Sequence, residues 1–163
     1  MKKASLNKVA FLLSATITTV VALNAYGSAL NIEKYRSGER LECVNMEDDR
    51  FVLSFIHSVS LTPVSDSFHL EKLPEGAFQI MQTEERFIAH GQGLPSMSTE
   101  PDVTKFEEKD GEFILHLHRK INDLIVRVDH RFKNRLHIGS QVIDLNKWPD
   151  FMGLRIRPVK SCN

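Results

Sequence analysis

The chain has 163 residues, enough for one domain and little more, and its 21 basic side chains balance 21 acidic ones. A formally neutral chain argues against a nucleic-acid partner held by phosphate neutralisation. With 42% hydrophobic and 26% charged residues, it is composed like a globular protein and unlike a disordered tail.

The two ends differ. Lys2, Lys3 and Lys8 precede an uncharged run from Val9 to Leu23, and the small residues Ala25, Gly27, Ser28 and Ala29 follow. This order matches the basic, apolar and small-residue regions of a secretory signal, with cut sites after Gly27 or Ala29. The alternative is an uncleaved N-terminal anchor helix, for which the run is short against the roughly 20 residues that span a bilayer. Residues 1–29 are therefore expected to be a signal peptide or anchor, and residues 30–163 a single domain placed in the periplasm or held at the inner membrane. Removing three lysines and no acid from the sum leaves 18 basic and 21 acidic residues, a net of −3.

Residues 30–163 read as strands. Short candidates at Leu30–Tyr35 and Leu41–Val44 come first. From Phe51 to Val59 the residues alternate, with Phe51, Leu53, Phe55, His57 and Val59 on one face. Candidates follow at Ser67–Lys72, Ala77–Gln82 and Arg86–His90, with a reversal at Pro74-Glu75-Gly76. One longer loop, opened by Gly91, Gly93 and Pro95, runs to about Asp102. Beyond it lie Val103–Phe106, a hairpin turn at Asp110-Gly111, and alternation over Phe113–His118 and Leu124–Phe132. Lys133-Asn134 marks another reversal, and Gln141–Leu145 and Leu154–Val159 complete the set. No segment carries a 3.6-residue apolar stripe. The expectation is an all-β fold, a small antiparallel sandwich or partly open barrel of eight to eleven strands.

Cys43 and Cys162 allow one internal bridge, and an exported protein sits where disulfides persist. There is no CxxC pair for thiol–disulfide chemistry.

The densest run of reactive side chains is His57 to Asp66. A hydrolase reading would need the His57 ring to activate the neighbouring Ser58, but adjacent residues of a strand point to opposite faces, and no GxSxG elbow is present. His57 is either a buried ring held by a hydrogen bond or a group at a pocket beside the Thr62-Pro63 turn. His116-x-His118 would place two imidazoles on one strand face, with a third ligand needed from His69, His130, His137 or a carboxylate; two alone are a weak metal signal. Arg127 and Arg131, flanking Asp129, would line one strand face suited either to a carboxylate or to internal ion pairs. Gln92-Gly93-Leu94-Pro95 lacks the strand and helix of a phosphate loop.

Several segments carry a resemblance: Gly38-Glu39, Phe55-Ile56-His57-Ser58-Val59, Thr62-Pro63-Val64-x-Asp66, Gly91-x-Gly93-Leu94-Pro95, Arg119, and Leu124-x-Val126-Arg127. In this order they resemble a bacterial domain-of-unknown-function family of small exported proteins, often encoded beside the fused permease and TAXI-type binding protein of TRAP transporters. The resemblance covers about Leu30 to Arg157. It departs at Asp66, where the family usually has glutamate, and at Gln92, where it has a small residue. His116, His118 and the two cysteines are not part of that pattern.

The resemblance implies an accessory role near a carboxylate transporter, with no cofactor. The partner would be the permease or its extracytoplasmic binding protein, met by His57, Ser58, Thr62, Asp66, Gly91, Gly93, Leu94, Pro95, Arg119 and Arg127. Recognition, not catalysis, is the expected mode. The alternative is a stand-alone module that holds a small carboxylate between Arg119 and Arg127; a metal-binding protein is a third and weaker reading.

Overall fold

A computed structural model describes residues 27–88 and 101–162. The expected signal or anchor segment up to Tyr26 and the Gly91–Pro95 motif lie outside the described residues. No helix among the described residues is long and apolar enough to cross a membrane.

The described chain is all-β. In order it forms β1 (Ala29–Lys34), β2 (Arg40–Asn45), β3 (Arg50–Ile56), β4 (Pro63–Lys72), β5 (Phe78–Phe87), β6 (Val103–Lys109), β7 (Glu112–Ile121), β8 (Leu124–Arg127), β9 (Arg135–Ile138), β10 (Gln141–Asp144) and β11 (Gly153–Val159). Two antiparallel sheets result, a small one ordered β2-β1-β11-β8 and a large one ordered β10-β9-β3-β4-β5-β7-β6. They face each other like a sandwich and do not close into a barrel. Strand alternation makes the core between them: Leu30 and Ile32 of β1 and Leu154 and Ile156 of β11 meet Phe51 and Leu53 of β3 and Leu136 of β9. The Phe51 ring stacks on Phe68 across the β3–β4 pair at 4.9 Å. A second cluster, Val64, Phe87, Leu115 and Leu117, lies further along the large sheet.

Turn chemistry sets the connections. Asp110 and Gly111 both have positive φ, 54° and 82°, the left-handed pair that a two-residue hairpin needs. Cys43 of β2 is bonded to Cys162, with Cα atoms 5.5 Å apart and a sequence separation of 119. The bridge ties the end of the chain to the edge of the small sheet.

Three strand expectations need correction, and one strand was not expected. The strand from Phe51 stops at Ile56: the His57 amide donates to the Thr62 carbonyl and the Leu61 amide to the His57 carbonyl, both at 2.9 Å, so the chain reverses before Val59. The strand from Leu124 stops at Arg127, because the Asp129 carboxylate accepts from the Arg131 amide at 3.1 Å and starts a 3₁₀ turn over His130–Phe132. Arg127 and Arg131 therefore do not share a strand face. Ala77–Gln82 and the described start of Arg86–His90 belong to one strand, β5, which ends at Phe87 and is interrupted by a bulge at Thr83. The four-residue β9 has too short an alternation to be read from sequence.

The disulfide closes nearly the whole domain, so it removes much unfolded-chain entropy. The double variant Cys43→Ser, Cys162→Ser is expected to lose about 2–5 kcal/mol in urea unfolding with its strand content kept.

Candidate functional site

The inner face of the large sheet is apolar except at one place. In the β3–β4 register Asp66 stands opposite Leu53, and in the β4–β5 register opposite Glu85. The bulge at Thr83 shifts the phase of β5, so that Gln82 and Glu85, three residues apart, are both buried. Gln82 donates through Nε2 to Asp66 Oδ1 at 3.0 Å, and its own Oε1 accepts from Arg119 of β7 at 3.4 Å. Arg119 Nε also donates to Asp102 at 3.1 Å. Asp66 and Asp102 are thus joined through one amide and one guanidinium.

Asp66 keeps some surface, but its carboxyl is largely enclosed. Burial pushes its pKa up to about 7, opposed by the Gln82 hydrogen bond and the Arg119 charge. Its second oxygen has no hydrogen-bond partner among the described residues.

That second oxygen belongs to a residue lining an open cleft of about 430 Å³, within the range of small-ligand sites. The cleft is bounded by Leu53 and Phe55 of β3, by His57 and Ser58 of the following turn, by all four residues of β8, and by Phe132 and Asn134. His57, Ser58, Asp66 and Arg127, expected as surface residues from the sequence, come together here from three separate stretches of chain.

His57 is oriented by its own turn. Its Nδ1 accepts from the Ser60 amide at 3.2 Å and the Val59 amide at 3.4 Å, which leaves Nε2–H as the ring's donor. The hydroxyl beside Nδ1 is that of Ser60, not Ser58, and Ser60 Oγ is in turn 2.8 Å from Thr62 Oγ1. Thr62 accordingly shapes the turn and does not line the cleft. Arg127 is exposed, and its guanidinium lies 5.4 Å from the centroid of the Phe151 ring. It has no carboxylate partner among the described residues. Arg119 does not line the cleft, so the two arginines do not hold one anion between them, as the small-carboxylate alternative required.

Other hollows are less suggestive. One beside the β7–β8 turn and β11, about 530 Å³, holds Arg155 and Arg157, but these already face Asp123 and Glu33. One lies beside Tyr35 and Phe151 and shares Ile125 and Arg127 with the cleft; another is on the outer face of the large sheet, beside His69 and His116. Among the described residues, His116 and His118 are not joined by a third histidine. His116 is hydrogen-bonded to Glu107 and near Glu84, His69 meets Glu71, His137 meets Ser54, and His118 is exposed. Asp129, His130 and Asp150 lie close together, but Arg131 grips Asp129, holding its pKa down to about 2, and His130 is hydrogen-bonded to Asp150.

Sequence reading missed Gln82 and Glu85. The signal was present as two polar residues at a phase break between apolar runs, the pattern a bulge leaves.

An all-β protein with an open cleft between its sheets is the class that this geometry defines. The family model for a Domain of unknown function (DUF1850) matches residues 51–145, more than half of the chain, and the protein belongs to that family. No curated protein and no solved structure matches the chain.

The raised pKa of Asp66 has a stability consequence. The folded protein holds this proton more tightly than the unfolded chain, whose carboxyl titrates near its ordinary value of 3.8. The proton's contribution is full below pH 4 and is lost as pH rises to about 7. Asp66→Asn should remove this component, on the order of 1–2 kcal/mol after discounting for the surface Asp66 keeps, in urea unfolding at several pH values.

Proposed function

We propose that the protein is an extracytoplasmic accessory component of a TAXI-type TRAP transporter system, acting by recognition and not by catalysis. The observation that carries this reading is the convergence of His57, Ser58, Asp66 and Arg127 on one cleft. These four residues of the motif that suggests the transporter context thereby share one location. The disulfide suits an oxidising compartment. The N-terminal segment directs export, and of the two cut sites the one after Gly27 fits better: Ser28 and Ala29 are buried, and Ser28 Oγ donates to Asp49 at 2.5 Å.

The side chains around the cleft favour a macromolecular partner. Leu61 and Phe151 are the two apolar residues with left-handed backbone, at φ 55° and 65°, and both are exposed, at 69% and 59%. Large apolar residues rarely take that conformation, and rarely do so facing water without a use. Leu61 belongs to the turn that carries His57 and Ser58, and Phe151 to the ring beneath Arg127. Recognition of a small anion is the second reading, favoured by the Arg127 guanidinium, which faces no carboxylate among the described residues.

The test is affinity purification of the natively expressed protein from detergent-solubilised membranes. The permease or its binding protein should accompany the unaltered chain. Asp66→Ala should reduce that recovery by about tenfold, a loss of about 1.4 kcal/mol, with the urea midpoint showing that the domain stays folded. Undiminished recovery would remove the cleft from the contact.

A further inference from the structure

We propose that the cleft receives an extended segment of a partner protein, which pairs as an added strand with the free edge of β8 and places a carboxylate against Arg127. This rests on the accessory reading and names the kind of contact it uses.

β8 is an edge strand of the small sheet, pairing only with β11 through Gly153↔Arg127, Leu154↔Val126, Arg155↔Ile125 and Ile156↔Leu124. Among the described residues its other edge has no strand beside it, and its backbone groups make no further hydrogen bond. Exposed edges are normally blunted by charge, proline or bulges. Two of the three other edges, β6 and β2, show such devices. β6 carries Lys105, Glu107, Glu108 and Lys109 and a register shift against β7. β2 carries Arg40 and Glu42, a register shift against β1, and the disulfide to Cys162. β8 reads Leu-Ile-Val-Arg, without proline or bulge. β10 is as short, but none of its residues lines the cleft or the other hollows described above.

All four residues of β8 line the cleft, so the edge and the cavity are one feature. Residues directly opposite in an antiparallel pair share a face. A residue opposite Val126, which is buried, would point inward over Leu53 and Phe55 and near Asp66. A residue opposite Arg127 would point outward, beside a guanidinium that already lies over Phe151. The segment this fits alternates apolar residues with a carboxylate at one outward position. The turn that carries His57 and Ser58 borders the cleft at one end.

The probe is a fluorescein-labelled octapeptide of alternating Val and Thr with one central Thr replaced by Glu, titrated by anisotropy into the purified exported protein. Matched peptides carry Gln or Lys at that position. The Glu peptide should bind at least about tenfold tighter than the Lys peptide, and Arg127→Glu should reverse the order. Methylating alternate amide nitrogens should abolish binding in the phase that faces β8 and spare it in the other. Amide hydrogen exchange at Leu124–Arg127 should slow when the peptide is bound.

Four results would each overturn the proposal. These are no binding of any peptide at about 1 mM, equal effects of methylation in both phases, complete displacement by glutarate at the peptide's own concentration, and a concentration-dependent dimer with β8 amides protected without peptide. The third would mark a small-anion site and the fourth a self-association surface. Peptide binding and transporter recovery are read separately: recovery without strand pairing overturns this inference alone, and strand pairing without recovery overturns the transporter assignment alone.

Discussion

A single carboxyl group in an apolar sheet face shapes this molecule's site. Asp66 sits where the β3–β4 alternation would otherwise place another core residue, opposite Leu53. A buried acid needs either a proton or hydrogen-bonding partners. The protein supplies both in part: its burial favours the protonated form, and Gln82, drawn inward by the bulge in β5, donates to one oxygen. Arg119 supports Gln82, and Asp102 supports Arg119. The polar island divides the large sheet's inner face, with the inter-sheet core on one side and the Val64, Phe87, Leu115 and Leu117 cluster on the other.

The second determinant is the unequal width of the sheets. Seven strands face four, so the small sheet ends at β8 while the large sheet continues. The cleft lies at that step. Its floor is the flank of β3 with Asp66, its rim is the free edge of β8, and its border is the His57–Thr62 turn. The turn is rigid for its size, because His57 Nδ1 gathers the Val59 and Ser60 amides and Ser60 links onward to Thr62.

Much of this was legible in the sequence, for identifiable reasons. Alternation at Phe51–Ile56 and Phe113–His118 and the Asp110-Gly111 turn are local signals, and the strands and hairpin they imply are present. Misplaced ends came from side chains that capture backbone groups: His57 stops β3, and Asp129 stops β8, although hydropathy continues smoothly past both. The broken reading of β5 came from a bulge, which reverses the alternation without changing composition. Of the candidate site, His57, Ser58, Asp66 and Arg127 meet as one group. Thr62 is absorbed into the turn and Arg119 into the support beneath Asp66. That Arg119 and Arg127 are apart is a matter of which sheet each strand joins, and alternation says nothing about that. Gln82 and Glu85 went unnoticed because a polar residue on a strand reads as solvent-facing until the register is known.

The central claim is that the step between the sheets, at β8 and the His57–Thr62 turn, is the recognition surface. The most direct measurement is an amide chemical-shift titration of the isotope-labelled protein, without residues 1–27, with a purified TAXI-type binding protein. The account predicts perturbations concentrated at Leu124–Arg127 and at the turn amides of Val59, Ser60 and Leu61. Perturbations confined to residues away from that step, around Gly76 and Pro158 to Lys160, with the β8 amides unmoved, would contradict it.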